Sequence, residues 1–157
     1  MTSTPTSYPA ASLWRRLAAM IYDTLIVMAV AMGYGALFIA IKYRFLAPPL
    51  LEGERATMGT PGFIGLIAVI FLFFSFFWHR GGQTVGMRAW RLQVLRPDGD
   101  FPDWGQCLLR CLVAPFSLTL AGAGYFWCLI DQQGQSWHDK ASGTLVIELP
   151  KPEKKKK

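Results

Sequence analysis

The sequence predicts an all-α membrane protein with two transmembrane helices, a third, broken hydrophobic element and a small cytoplasmic β-hairpin. Three observations support this fold class. Hydrophobic residues make up 52% of the 157 residues and charged residues only 17%, below the roughly 25% of soluble domains. Long apolar runs are separated by short charged segments. The net charge of +6 lies in the loops and the tail, so we expect a lipid bilayer rather than nucleic acid as the partner.

The first transmembrane helix is predicted at about residues 13–41, after a disordered lead of residues 1–11 that is rich in Ser, Thr and Pro. Ser12 is a suitable N-cap residue. Residues 17–41 would extend about 37 Å as a helix, enough to cross roughly 30 Å of hydrocarbon with some tilt. A cleavable signal peptide has a shorter apolar region, so this helix is expected to remain uncleaved.

The second transmembrane helix is predicted at about residues 62–78, which carry no charge. Residues 42–62, between the two spans, contain three Pro and three Gly and are expected to form a loop. The membrane domain as a whole is expected to cover residues 12–149. A Lys-rich tail follows at 150–157, where anionic lipid headgroups are the expected partner.

A small hairpin is predicted on the surface after the second span. Gly81-Gly82 would end the helix, and Trp90–Arg96 is rich in residues that favour a strand. The following Pro97-Asp98-Gly99 is typical of a turn. Thr144–Leu149 is a candidate for a third strand.

The third hydrophobic element covers residues 106–131 and allows two arrangements. As a continuous helix, residues 107–130 would reach about 36 Å, enough for one crossing. However, Pro115 lies inside the run and residues 121–124 read AGAG, so the element is either a kinked span or a re-entrant hairpin. We counted the Lys and Arg residues outside this element on each side of the membrane. A hairpin places twelve on the side of the N-terminus and three on the other side, whereas a single crossing places six on the side of the N-terminus and nine on the other. The positive-inside rule favours the hairpin, with a cytoplasmic N-terminus.

Asp23 lies inside the first predicted span, where a charged side chain costs about 2.5–3.5 kcal/mol on insertion scales. Its helical neighbours three and four residues away are apolar, so a partner must come from another element. Arg110 is the predicted partner because it would enter the membrane from the same side at a similar depth. The pair would either fix helix register or form a site where a titratable carboxylate exchanges a proton or a cation. A third alternative is that Asp23 lies nearer the interface.

Three stretches, in this order and spacing, resemble the RDD family of bacterial membrane proteins. They are WRRLAAMIYDTLI, GGQTVGMRAWRLQVL and QSWHDKASGTLVI. The resemblance implies that Arg16, Asp23 and Asp139 are the family triad. It also marks motif positions to which it assigns no role, at Gly86, Arg88, His138, Gly143 and Thr144.

The resemblance implies a bacterial inner-membrane protein but little chemistry. Transport of unidentified ligands has been suggested for the family, and cation/proton exchange for some members. The RDD pattern covers residues 12–147 and does not include the first loop or the Lys-rich tail.

No catalytic residue, metal site or cofactor is predicted. The cysteines at 107, 111 and 128 form no CxxC pair and are expected to act as small apolar residues. The His138-Asp139-Lys140 sequence is interpreted as a polar cluster next to the membrane. In it, Asp139 would accept hydrogen bonds from Arg16 or from the backbone of the next turn.

Two functional hypotheses follow from these patterns. The chain is either a transport or cation/proton exchange component that uses Asp23, or a non-enzymatic scaffold or accessory protein whose buried charges only fix helix packing. Two spans make a poor pore alone, so a homo-oligomer or a larger membrane complex is expected.

Overall fold

A computed structural model describes residues 8–46, 55–120 and 122–151, and within them the chain is mostly helical. The helices are α1 (Leu13–Ile41), α2 (Gly59–Gly81), α3 (Val85–Ala89), α4 (Trp104–Thr119), α5 (Ala123–Phe126) and α6 (Trp137–Ser142). A π-helical turn (Lys42–Leu46) extends α1, and a 3-10 turn (Trp127–Leu129) extends α5. The strands are β1 (Leu92–Leu95) and β2 (Leu145–Glu148).

Two helices are long and apolar enough to cross a membrane. They are α1 with its π-helical turn, which together have 34 residues, and α2, which has 23, each with a mean hydropathy of 2.2. The bounds of α1 agree with the predicted first span, and α2 extends three residues beyond the second at either end. Two candidate membrane helices are therefore confirmed by length and composition.

The third hydrophobic element is broken, as predicted. Its two helical parts, Trp104–Thr119 and Ala123–Leu129, differ in direction by 107°, as in a broken span or a re-entrant loop. The helix continues through Pro115, and the change of direction comes at Gly122, which has a left-handed φ of +74° that favours glycine.

The two strands form an antiparallel pair in which Leu92 lies opposite Glu148 and Leu95 opposite Leu145. The predicted local hairpin is therefore wrong, and the segment expected as a third strand is instead the partner of β1. The turn after β1 does form, with Gly99 N donating to Arg96 O over 3.0 Å. α4 begins at Trp104, which leaves too few residues after the turn for a second local strand.

The segment before α1 pairs with the other edge of β2. Ala11 N donates to Val146 O over 2.9 Å, and Glu148 N donates to Pro9 O over 3.0 Å. The predicted disordered lead is therefore wrong for residues 9–11, because the free edge of β2 offers them hydrogen-bond partners. The rest of the lead, up to residue 7, and the tail from residue 152 lie outside the described residues.

The chain divides into two compact units. One contains the residues up to Asp23 together with those from Phe74 onward, and it holds every residue of the predicted site. The other covers Thr24–Phe73, where α1 and α2 approach closely because glycines face aromatic rings. There, a Cβ added at Gly62 would lie 2.7 Å from the Phe38 ring.

Candidate functional site

Asp139 is the centre of a buried polar cluster and is 0% exposed. It lies in the first turn of α6, where Ser136 is the N-cap residue. The Ser136 backbone N donates to Asp139 Oδ2 over 2.9 Å, and the Ser136 hydroxyl donates to the same oxygen over 2.6 Å. The local sequence therefore fixes the direction of the carboxylate before any distant residue reaches it.

Arg16 reaches this carboxylate from the start of α1. Its Nη1 lies 2.5 Å from Asp139 Oδ2. Its Nη2 donates to Gly134 O over 2.8 Å, and its Nε donates to Ala11 O over 3.1 Å. Of the two donors predicted for Asp139, Arg16 is confirmed, and this bond attaches the C-terminal segment to the first helix.

Arg110 approaches the other side of the same carboxylate from α4. Its Nη1 lies 2.5 Å from Asp139 Oδ1 and donates to Thr144 Oγ1 over 2.8 Å. The guanidinium carbon lies 5.1 Å from the centre of the Trp78 ring, within the range of a cation–π contact. Arg110 thus connects α4 with α2, α6 and the residue before β2.

The two guanidinium groups keep Asp139 ionised. Burial alone would raise the pKa of this carboxyl, but Arg110 and Arg16 outweigh that effect and hold it well below its usual range. Two positive charges against one negative charge leave the cluster with a net charge of +1. Removing one member of such a buried group leaves an uncompensated charge and typically costs 3–5 kcal/mol.

His138 belongs to the same cluster and is neutral. Burial, reinforced by the nearby Arg110, lowers its pKa to about 3. Its Nε2 lies 2.9 Å from Ser136 Oγ, and since that hydroxyl donates its own hydrogen to Asp139, the imidazole Nε2–H is the donor here. Its ring centre lies 4.6 Å from that of Tyr125. Of the predicted cluster, His138 and Asp139 are buried together, whereas Lys140 is exposed and its Nζ lies 2.5 Å from Asp131 Oδ1.

The motif positions that follow Asp139 have structural roles. Gly143 ends α6 with a left-handed φ of +63°, a conformation that favours glycine. Thr144 N then donates to Asp139 O over 3.0 Å. The Thr144 hydroxyl also accepts from Arg110. Thr144 therefore bonds to both members of the Arg110–Asp139 ion pair.

Asp23 is buried but has different partners from those predicted. The Thr84 hydroxyl donates to its Oδ2 over 2.5 Å, and Gly86 N donates to its Oδ1 over 2.8 Å. The predicted Asp23–Arg110 pair is wrong, because Arg110 binds Asp139 instead. Within the described part of the chain, no cationic side chain forms an ion pair with Asp23.

The start of α3 explains why Asp23 is bound in this way. Thr84 is the N-cap of α3, and its side chain accepts from Met87 N over 3.2 Å. Gly86 N is another of the donors that the first turn of a helix leaves without an internal partner. Asp23 therefore completes the cap of α3 and ties α1 to the segment after α2.

Gly86 is required at this contact because its backbone lies against α1. A Cβ at this position would overlap the carbonyl oxygen of Ala19 and lie 2.8 Å from Asp23 Cγ. Arg88, on the same short helix, is exposed, and no structural role follows from its position. Thr84 and Ser136 were not predicted as site residues. The available signal was their residue type, because Ser and Thr are preferred at the N-cap of a helix.

The fold and this cluster define a small, mostly helical protein with two candidate membrane helices, organised around buried arginine and aspartate side chains. The RDD family model matches residues 10–143. The chain therefore belongs to the RDD family. Searches of the curated proteins and of the solved structures find no protein that matches it.

Proposed function

We propose that this chain is a non-enzymatic, multi-pass protein of the bacterial inner membrane that acts as a scaffold or accessory subunit. The observation that carries the proposal is the clamp of Arg16 and Arg110 on Asp139. It links α1, α4 and α6, which are far apart in the sequence. A carboxylate with a strongly lowered pKa keeps its charge across the physiological pH range, which suits a fixed structural connection better than proton cycling.

The surface of the spans supports a role in association. Many large apolar side chains of α1 and α2 are exposed, as lipid or a membrane partner requires. Examples are Ile21, Leu25, Met32, Leu37, Phe63, Ile64 and Leu72. A bundle with two spanning helices has little interior for a pore, so we propose that the protein works as a homo-oligomer or within a larger complex. The Lys and Arg distribution supports a cytoplasmic N-terminus.

Co-purification from native membranes in mild detergent tests the scaffold proposal. An affinity-tagged protein is expected to run as an assembly larger than one chain, and Asp139→Asn is expected to reduce that assembly because the clamp is lost. Asp98→Asn is the matched control, since Asp98 forms an exposed pair with Arg96. A wild-type protein that remains monomeric and binds no other chain contradicts the proposal.

A second candidate function, cation/proton exchange, is supported by the surroundings of Asp23. This carboxylate lies within an apolar helix, and its two described partners are a hydroxyl and a backbone amide. Neither partner carries a charge that would hold it ionised. A proton or a small cation can therefore offset the cost of a bare carboxylate in the membrane.

Vesicles containing the purified protein and a pH-sensitive dye separate the two functions. If the protein is an exchanger, an imposed Na⁺ or K⁺ gradient changes the internal pH, and Asp23→Asn abolishes the change while the protein still inserts. Asp100→Asn, at an exposed carboxylate, serves as the control and should exchange normally. Equal signals from wild type, Asp23→Asn and empty vesicles contradict exchange and leave the scaffold function.

A further inference from the structure

Three segments that the hydrophobic elements separate in sequence meet in one small sheet. Residues 9–11 precede α1, β1 follows α2, and β2 follows the third hydrophobic element. Ala11 N donates to Val146 O over 2.9 Å, and Leu149 N donates to Arg91 O over 2.7 Å. Because hydrogen-bonded strands must share one compartment, all three segments lie on the same side of the membrane.

Charged contacts place the ends of the third element at the same level. Arg16, the fourth residue of α1, binds Asp139, which comes after the third element. Arg15 Nε lies 3.0 Å from Glu148 Oε2. Arg110 in the second turn of α4 binds the same Asp139. The chain therefore enters the third element near the start of α1 and returns there.

We propose that Trp104–Leu129 is a re-entrant hairpin that enters and leaves the membrane on the side of the N-terminus. We also propose that its outer face contacts the acyl chains of that leaflet alone. The length of α4 agrees with this arrangement, because 16 residues extend about 24 Å, less than the roughly 30 Å of the hydrocarbon core. The change of direction after α4 is 107°.

The two faces of α4 differ in the way that lipid contact requires. The inner face carries Cys107, Cys111 and Ser117, which are buried, whereas Leu112 is 51% exposed and Phe116 is 69% exposed. Leu108 and Leu109 extend this exposed face towards the start of the helix, and Leu118 and Leu120 are exposed near its end. An aqueous surface would leave this continuous apolar face in contact with water.

Several backbone groups near the bend are paired within the chain, as hydrocarbon demands. Gly122 N donates to Leu118 O over 2.9 Å, and Ala123 N donates to Leu120 O over 2.9 Å. The Thr119 hydroxyl donates to Phe116 O over 3.1 Å. These hydrogen bonds use carbonyl groups that the end of a helix otherwise leaves free, so lipid acyl chains are the occupant that the bend fits.

Single-cysteine labelling tests the sidedness. The three native cysteines are replaced by Ala, and Cys is placed in turn at Asp100 after β1, at Ala56 before α2, and at Lys151 after β2. With a membrane-impermeant maleimide, the Asp100→Cys and Lys151→Cys proteins are expected to react from one side and the Ala56→Cys protein from the other. Reaction of Lys151→Cys from the same side as Ala56→Cys overturns the hairpin.

A topology reporter fused after Lys157 gives the same answer with the native cysteines retained. A fluorescent protein and a phosphatase, each active on one side only, are compared with the same reporters fused before Met1. Matching sides support the hairpin and opposite sides overturn it. The labelling test compares the side of Lys151 with those of Asp100 and Ala56, and the reporter test compares the two termini. Neither outcome depends on the scaffold or exchange function.

Spin labels identify what covers the outer face. Labels at Leu112 and Phe116 are expected to show high collision rates with oxygen and low rates with a water-soluble nickel complex. A label at Asp100 should show the reverse. High nickel access at the two helix positions contradicts lipid contact and indicates water. Low access to both reagents also contradicts lipid contact and indicates a protein partner.

Discussion

Arg16 and Arg110 bind opposite oxygens of a single carboxylate, each through an Nη1 atom that lies 2.5 Å from Asp139. Neither arginine contacts the aspartate that lies in the first span. The carboxylate that neutralises them comes instead from a short helix near the end of the domain. The stability of the packed unit should therefore depend more on Asp139 than on any other acidic residue, and the following predictions test this.

Asp139→Asn is expected to lower the free energy of unfolding by about 3–5 kcal/mol, because it leaves two buried guanidinium groups without a counter-charge. Unfolding in mixed micelles of mild detergent and dodecyl sulfate, followed by circular dichroism, measures the change. Asp98→Asn breaks an exposed pair with Arg96 and should cost much less, because solvent screens exposed ion pairs. Equal losses in the two variants would mean that the clamp is not a main source of stability.

A double-mutant cycle distinguishes the observed pair from the predicted one. Arg110→Gln should lose much less stability in an Asp139→Asn background than in the wild type, with a coupling of about 1–3 kcal/mol. Against Asp23→Asn, the effect of Arg110→Gln should be additive within about 0.5 kcal/mol. Coupling to Asp23 instead of Asp139 would contradict the arrangement of the cluster.

Gly86→Ala is expected to destabilise the protein by about 1–3 kcal/mol, since the added methyl group would overlap Ala19 O and crowd Asp23. Gly81→Ala is the control, because a Cβ there meets no other atom within 4 Å. The same unfolding measurement compares the two. If Gly81→Ala proves the more harmful substitution, the close approach of α3 to α1 is not what requires glycine.

His138 should make the protein less stable in mild acid. Its folded pKa of about 3 lies below the ordinary value of 6.5, so the unfolded chain binds a proton that the folded chain excludes between these values. Stability is therefore expected to fall as the pH drops through 6.5, by about 2 kcal/mol between pH 7.5 and pH 5. Asp139 contributes little between pH 7.5 and pH 5, because its ordinary pKa of 3.8 lies below this range and its folded pKa is lower still.

His138→Gln should remove most of this loss when unfolding is measured at the two pH values. His79→Gln is the comparison, since His79 lies on an exposed part of α2. If the wild type and His138→Gln lose the same stability on acidification, another group is responsible.

The long helices could be predicted from the sequence because hydrophobic length alone defines them. Leu13–Ile41 has the bounds that its apolar run predicts. The partner of Arg110 could not be predicted in this way. Asp23 and Asp139 were both candidate partners for Arg110. Asp139 reaches Arg110 because Ser136 caps α6 and because β2 returns to the sheet.

The strand pairing was missed for a similar reason. The sequence around Trp90–Arg96 favours a strand and the next residues favour a turn, which together predict a local hairpin. The capping box of Asp103 and Gln106 instead starts α4 directly after the turn. β1 then pairs with a strand that starts fifty residues after β1 ends, a distance over which local patterns carry no information on pairing.

The position of β2 at the end of the domain has a consequence for synthesis. Residues 9–11, Arg16, β1 and Arg110 all leave the ribosome before the segment that joins them. Until residues 136–148 emerge, Arg16 and Arg110 lack the Asp139 carboxylate as a counter-ion. Residues 9–11 also lack β2 as a pairing strand. Assembly of this unit is thus completed only when residues 136–148 have been made, so nascent chains released before that point should be recognised and degraded as unfinished.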